Sequence, residues 1–179
     1  MPEPGSPGGE VALLVSVQSA LVGRPGVLPV ARAMSYFGEH SLGWLAVSAL
    51  GALRQPHRRR QWIVAGVGTF TAHAAAVLIK RVVRRPRPHD PAVIVNVGVP
   101  SKLSFPSAHA TSTTAAAILI GQATGRPLPV VLVPPMALSR MVLGVHYPSD
   151  VAAGVVVGAV VAKGIAALAS RVGGRGVGH

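Results

Sequence analysis

The stretch from Gln61 to Val83 limits most strongly what this chain can fold into. It is long and almost wholly apolar, and it ends in a basic, Pro-rich run, KRVVRRPRPHDP, starting at Lys80. About 20 apolar residues suffice to cross a bilayer as a helix. Burying such a segment on all sides in water would need a large surrounding core. The composition does not supply one: aromatic residues make up 4% of the chain, and hydrophobic residues, mostly small, make up 50%. Charged residues account for only 12%, and the mean hydropathy is +0.50. A membrane protein follows, packed through small side chains.

The remaining segments repeat the pattern. Helices are expected over Glu10 to Val22, Tyr36 to Leu53, Gln61 to Val83, Pro106 to an end between Gly121 and Gly125, Pro129 to Leu143 and Pro148 to about Ser170. The first is short for a span, so it either lies in the interface or crosses obliquely. Pro134-Pro135 should kink or break the fifth. The fold class expected is therefore all-α, a polytopic membrane bundle of five or six helices. It forms one domain over residues 10–170, with Pro/Gly-rich or Gly-rich tails at 1–9 and 171–179. Gly154 and Gly158 make a G-x-x-x-G pair that permits close helix contact, within the chain or across a homo-oligomer; the reading favours contact within the chain.

The net charge of +12 has three standard readings. Nucleic-acid binding is set aside because the cations border apolar segments. Attraction to anionic membrane lipids and membrane topology account for many of them. The third reading, recognition of an anionic substrate, depends on spacing. No cysteine is present, which excludes thiolate chemistry. The five acids are too few and too scattered for a two-metal site, so neither metal nor cofactor is called for.

Three polar islands interrupt the apolar helices, and counting crossings puts all three on one membrane face. Ionisable groups at membrane depth are costly and mark function. The first island holds Lys80 and Arg87, a point charge and a planar fork suited to phosphate oxygens, although a basic run closing a helix also anchors headgroups. The second is Ser104-Phe-Pro-Ser-Ala-His109, a helix start whose N–H groups attract anions, with Pro106 in the first turn, Ser107 as cap and His109 close by. A plain cap is its ordinary meaning. The hydroxyls from Thr111 to Thr114 are read as helix packing. The third runs from Ser139-Arg140 to His146 and Asp150. A carboxylate at Asp150 can fix the tautomer of His146 and leave its other nitrogen free to attack; a structural His–Asp contact is the plainer alternative.

Together the islands resemble the three signature motifs of the type 2 phosphatidic acid phosphatase (PAP2) family, which includes vanadium haloperoxidases. Lys80, Arg87 and Pro88 fit K-x6-R-P. Pro106, Ser107 and His109 fit P-S-G-H, with Ala108 in place of glycine. Ser139, Arg140, His146 and Asp150 fit S-R-x5-H-x3-D. The resemblance implies a metal-independent phosphatase for a membrane-anchored phosphomonoester. Lys80, Arg87, Ser107, Ala108 and Arg140 would bind phosphate, His146 would attack phosphorus, Asp150 would orient it and His109 would protonate the leaving oxygen. Ala108 keeps its backbone N–H, so the substitution is tolerable where φ is negative.

Outside the motifs, SYFGEHSLGW from Ser35 and the stretch from Pro88 to Ala117 resemble an actinobacterial subgroup. That subgroup is assigned to decaprenylphosphoryl-5-phosphoribose and cell-wall arabinan precursor synthesis. Other lipid phosphates considered are phosphatidate, phosphatidylglycerol phosphate, polyprenyl diphosphate and lipid-linked sugar phosphates. Phosphotransfer to another acceptor, a haloperoxidase, and a silent anionic-lipid scaffold are the competing classes; a scaffold would need no His109–His146–Asp150 set.

Seven cations (Arg54, Arg58, Arg59, Arg60, Arg126, Arg171, Arg175) are assigned to the face away from the site, and seven (Lys80, Arg81, Arg84, Arg85, Arg87, Lys102, Arg140) to the site face. Setting aside Lys80, Arg87 and Arg140 as phosphate ligands leaves four, which expects a plasma-membrane protein with its catalytic face outside the cytoplasm.

Overall fold

A computed structural model describes residues 8–174. Seven α-helices occupy them: α1 (Gly9–Leu21), α2 (Val27–Gly38), α3 (Leu42–Arg54), α4 (Arg59–Val83), α5 (Ala108–Thr124), α6 (Leu128–Val142) and α7 (Pro148–Gly174). Short 3-10 turns at Glu39–Ser41 and Pro56–Arg58 precede α3 and α4. No strand occurs among the described residues. The fold is all-α as expected, but it has seven α-helices among the described residues where five or six were expected, and several boundaries differ.

The largest change lies between α1 and α4. A single helix was expected from Tyr36 to Leu53; the structure has two, because His40 and Ser41 both adopt left-handed backbone conformations. The upstream helix α2 begins at Val27, in a stretch the sequence reading left unassigned. Its start just after Pro25-Gly26 hid it, since that pair reads as a loop. Smaller changes fall on the other ends. Helix α5 begins at Ala108, so Pro106 stands before the cap and not in the first turn. Helix α6 runs unbroken through Pro134 and Pro135. Helix α7 continues past Ser170 to Gly174; residues 1–7 and 175–179, on which the expected tails mostly fall, lie outside the described residues.

Helix α5 is the centre of the molecule. Twelve of its 17 residues are buried, which is why its sequence is rich in Ala and Thr and shows no polar face. Helices α4, α6 and α7 pack around it, and α3 packs on α4. Trp44 on α3 and Trp62 on α4 fill the wider gaps among buried alanines. The hydroxyl run on α5 serves this packing: Thr111 bonds back to the Ser107 carbonyl at 2.9 Å, and Thr113 accepts the Trp44 indole N–H at 3.1 Å. Gly154 and Gly158 face α5, and a Cβ on Gly154 would come within 2.7 Å of the Ser107 carbonyl oxygen. Their close contact is therefore within the chain.

Two elements, Pro56–Val83 with 28 residues and Pro148–Val172 with 25, are long and apolar enough to cross a bilayer. At 1.5 Å per residue each exceeds the roughly 30 Å hydrocarbon thickness. Their outer surfaces carry exposed apolar side chains, among them Phe70, Val156, Val160 and Leu168. Helix α1 takes a different course. Glu10 near its start accepts the Ser149 backbone N–H at the head of α7, and Gln18 near its end bonds the Val142 carbonyl at the foot of α6. Both partners lie at the same end of the bundle, so α1 lies across that end.

Candidate functional site

The three islands meet at the end of the bundle that α1 crosses. The foot of α4 brings Lys80, the following loop brings Arg87, the head of α5 brings Ala108 and His109, and the foot of α6 with its loop brings Arg140 and His146. All six line one cavity of about 440 Å3. Ser107 and Asp150 stand just behind its wall, fully buried. The motif spacing expected them to converge, and they do.

Each cation is held by its inner donors. Lys80 Nζ donates to the Leu103 and Ser104 carbonyls at 3.1 and 2.9 Å, using two of an ammonium's three hydrogens. Arg87 donates from Nε to the Ser101 carbonyl at 2.7 Å and from Nη1 to the Val145 carbonyl at 2.6 Å. Arg140 donates from Nε to Ser139 Oγ at 3.2 Å and from Nη1 to Ser35 Oγ at 3.1 Å. Its Nη2, buried, has no partner among the described residues. None of the three forms an ion pair among the described residues. Three oriented cations with donors to spare and no carboxylate between them have the chemistry to hold an anion. Burial lowers Arg87 to about 10, an effect that the charge of Asp150 opposes, so it stays cationic at neutral pH.

His146 sits at the base of this cluster, 2% exposed. Its Nε2 lies 3.3 Å from Arg87 Nη1. A guanidinium only donates, so Nε2 presents its lone pair and Nδ1 carries the hydrogen. Burial first, then the charges of Arg87, Lys80 and Arg140, push His146 well below the ordinary histidine range and keep the ring neutral. Its Nδ1 faces Asp150 Oδ2 at 3.7 Å. That is longer than a hydrogen bond, so the direct His146–Asp150 bond expected from spacing is not formed in this geometry. Asp150 instead accepts the Tyr147 backbone N–H at 2.8 Å and Arg85 Nη1 at 3.0 Å.

Arg85 is the residue the sequence reading misplaced. Counted as one more cation in a basic run, it bridges Asp150 on one side and Glu10 Oε2, at 2.7 Å, on the other. It also donates to Ser149 Oγ at 2.6 Å and stacks on the Tyr147 ring, with its central carbon 4.1 Å from the centroid. Ser35 was missed as well. Its carbonyl lies 2.9 Å from His109 Nε2 and its hydroxyl accepts from Arg140. A carbonyl only accepts, so that hydrogen is on His109 Nε2 and its Nδ1 is left for proton exchange. Ser107 caps α5 at Ala110 N, 3.4 Å away. Ala108 is the first helical residue and is not among the positive-φ residues, so nothing in its backbone demands the glycine of the family motif.

Two buried cations, Lys80 and Arg140, and the half-buried Arg87 around a neutral, oriented imidazole, carried on a helical bundle with membrane-length helices, are the features of a membrane phosphatase of the phosphatidic acid phosphatase type. Residues 61–173 match the PAP2 superfamily, and the chain belongs to it. It is 70% identical over 156 residues to a decaprenylphosphoryl-5-phosphoribose phosphatase of Mycobacterium tuberculosis, covering 87% of this chain and 88% of that one. A protein of the same name from Mycolicibacterium smegmatis is 68% identical over 149 residues, covering 83% of each. Among solved structures, the transmembrane PAP2-type phosphatidylglycerolphosphate phosphatase of Bacillus subtilis superposes with a TM-score of 0.69 at 16% identity, covering 90% of this chain and 86% of that one. That likeness shows the fold.

Proposed function

We propose that this chain is a multi-pass plasma-membrane enzyme that hydrolyses the 5-phosphate of decaprenylphosphoryl-5-phosphoribose, in cell-wall arabinan precursor synthesis, through a phosphohistidine on His146. The observation that carries the chemistry is the cation cluster: Lys80, Arg87 and Arg140, none in an ion pair among the described residues, line one cavity with His146, and Arg87 lies against its Nε2 lone pair. The substrate reading rests on the two mycobacterial relatives.

In the first step the free donors of Lys80, Arg87 and Arg140 take the phosphoryl oxygens, together with the N–H groups at the head of α5. Neutralising that charge is most of the work in phosphoryl transfer. His146 Nε2 attacks phosphorus as the bond to the ribose C5 oxygen breaks. The leaving oxygen takes its electron pair and a proton from His109 Nδ1, which received that proton from the monoprotonated phosphate as it bound. The imidazole becomes positively charged, and the Asp150 carboxylate beyond Nδ1 stabilises it. In the second step water attacks phosphorus, His109 accepts its proton, and His146 returns to the neutral form as inorganic phosphate leaves.

A lipid-linked phosphate can enter such a site from the bilayer, since the cavity sits at the end of apolar helices. The catalytic face is extracytoplasmic in this reading: once the phosphate ligands are set aside, the opposite face holds more cations. The pairing of Arg85 with Glu10 and Asp150 removes another free charge from the site face. A phosphate-release screen across lipid phosphates, with His146→Ala as control, tests the proposal. Release from the phosphoribosyl lipid well above other lipid phosphates, lost in the variant, is expected; equal release from all lipids would contradict the substrate.

A further inference from the structure

The cavity is larger than a phosphoryl group needs, and its volume falls in the range of about 300–1,000 Å3 typical of sites that enclose a whole small molecule. The motif residues account for one wall. Another part of the lining, apart from the loop from Val97 to Leu103, comes from the end of α2, the turn after it and the middle of α4, and includes Tyr36, Glu39, His40 and His73. None of these belongs to the three islands, and the mechanism above uses none of them.

We propose that Glu39, His40 and His73 form a second subsite that binds the hydroxyl groups of a polyhydroxylated leaving group, and so select sugar phosphates over plain lipid phosphates. This rests on the phosphatase reading of the same cavity and extends it to the other half of the substrate.

Four observations support it. Glu39 is the one carboxylate lining the cavity, and it forms no ion pair among the described residues. A carboxylate accepts two hydrogen bonds side by side, which matches adjacent hydroxyls, and it repels the phosphoryl group toward the cations opposite. His73 Nδ1 is buried and has no hydrogen-bond partner among the described residues, although a buried polar atom ordinarily has one. Its ring and that of His40 stand 6.2 Å apart between centroids, so two imidazoles sit side by side in the lining that also holds Glu39.

The backbone that presents Glu39 and His40 is also fixed in an unusual shape. His40 and the buried Ser41 have φ of 49° and 63°, a region that L-residues occupy only where surrounding contacts impose it. The residue just before this turn lies close to the catalytic wall: a Cβ added at Gly38 would come within 2.7 Å of His109 Cδ2. The turn that carries the hydroxyl-binding groups thus adjoins the residue that protonates the leaving oxygen.

The test uses the full chain in detergent and two synthetic prenyl-phosphoryl-5-phosphoriboses, one with both ring hydroxyls and one lacking them. Affinity is measured in the inactive His146→Ala protein, and turnover in the otherwise unaltered one. The hydroxylated lipid should bind at least about tenfold more tightly than its dideoxy analogue. Adding Glu39→Gln or His73→Phe should shrink that ratio toward one, with a much smaller change for the analogue. Equal affinity for the two lipids, or loss of both in parallel on substitution, overturns the subsite. Absence of turnover on either lipid sinks the phosphatase assignment instead, and the affinity ratio still decides the subsite.

Discussion

Arg87 Nη1 lies 3.3 Å from His146 Nε2, close enough to dictate which imidazole nitrogen carries the proton. Because Arg87 can only donate, Nε2 is the basic atom, and it faces the cations that would hold a phosphoryl group. The same contact covers the lone pair of Nε2, so the proposed attack on phosphorus requires a bound anion to draw the guanidinium away. In the proposed mechanism Arg87 acts twice, orienting the imidazole before binding and neutralising phosphate after it. Arg87→Lys keeps a charge but loses the fork, and should lower kcat/KM by about 10²–10³. Steady-state phosphate release measures this.

Arg85 couples α1 to the site. Without it the fully buried Asp150 carboxylate keeps only the Tyr147 N–H among its partners here, and Glu10 loses its ion pair. Arg85→Ala should cost about 1–3 kcal/mol of stability, less than a fully buried pair because Arg85 is partly exposed. It should also lower kcat about 10–100-fold, since the imidazolium formed in the first step loses its oriented counter-charge. Glu10→Gln, at a more exposed position, should cost about 0–1 kcal/mol and leave kcat within a few fold. Thermal unfolding in detergent, paired with single-turnover rates, separates the two variants.

His146 gives a pH dependence with a definite sign. Its folded pKa lies below the unfolded value of about 6.5, so the unfolded chain binds more protons between the two. The contribution of His146 to stability is present above pH 6.5 and is lost as pH falls from there through the folded pKa. The unaltered protein should therefore lose more thermal stability between pH 7.5 and pH 5.5 than His146→Gln does. Melting curves of both at the two pH values check it.

Gly158 stands against the Thr111 carbonyl of α5. A methyl group there has no space unless α7 moves away, so Gly158→Ala should destabilise the fold by about 1–3 kcal/mol. Size-exclusion chromatography should show no change of oligomeric state, since the contact is within the chain. A fall in melting temperature without such a change is the expected pair of results.

Much of the site was legible in the sequence because its residues sit at fixed spacings on helix ends. Lys80 and Arg87, Ser107 and His109, and Arg140, His146 and Asp150 are each local patterns, and apolar helices leave polar groups few other places to gather. The supporting residues were not legible for a related reason. Glu10 meets Ser149 across 139 positions and Ser35 meets Arg140 across 105, and no local pattern predicts such partners. Arg85 was hidden among other arginines, where composition makes every cation look like an anchor. Helix α2 was lost because Gly26 before it and the left-handed pair after Glu39 read as loop and as continuous helix respectively. His146 and Asp150 show the converse. Their spacing suggested a direct bond, yet the backbone N–H of Tyr147 takes the nearer carboxylate oxygen.

The central claim is a covalent phosphohistidine, and trapping it tests that claim most directly. Protein turning over a phosphate-labelled lipid substrate is quenched within the first turnover under alkaline conditions, which preserve a phosphoramidate, and the labelled peptide is identified by mass spectrometry. The label should sit on His146, disappear with acid, and be absent from His146→Ala, which should also release no phosphate. Phosphate release by His146→Ala at the normal rate, or a label on any other residue, would contradict the account.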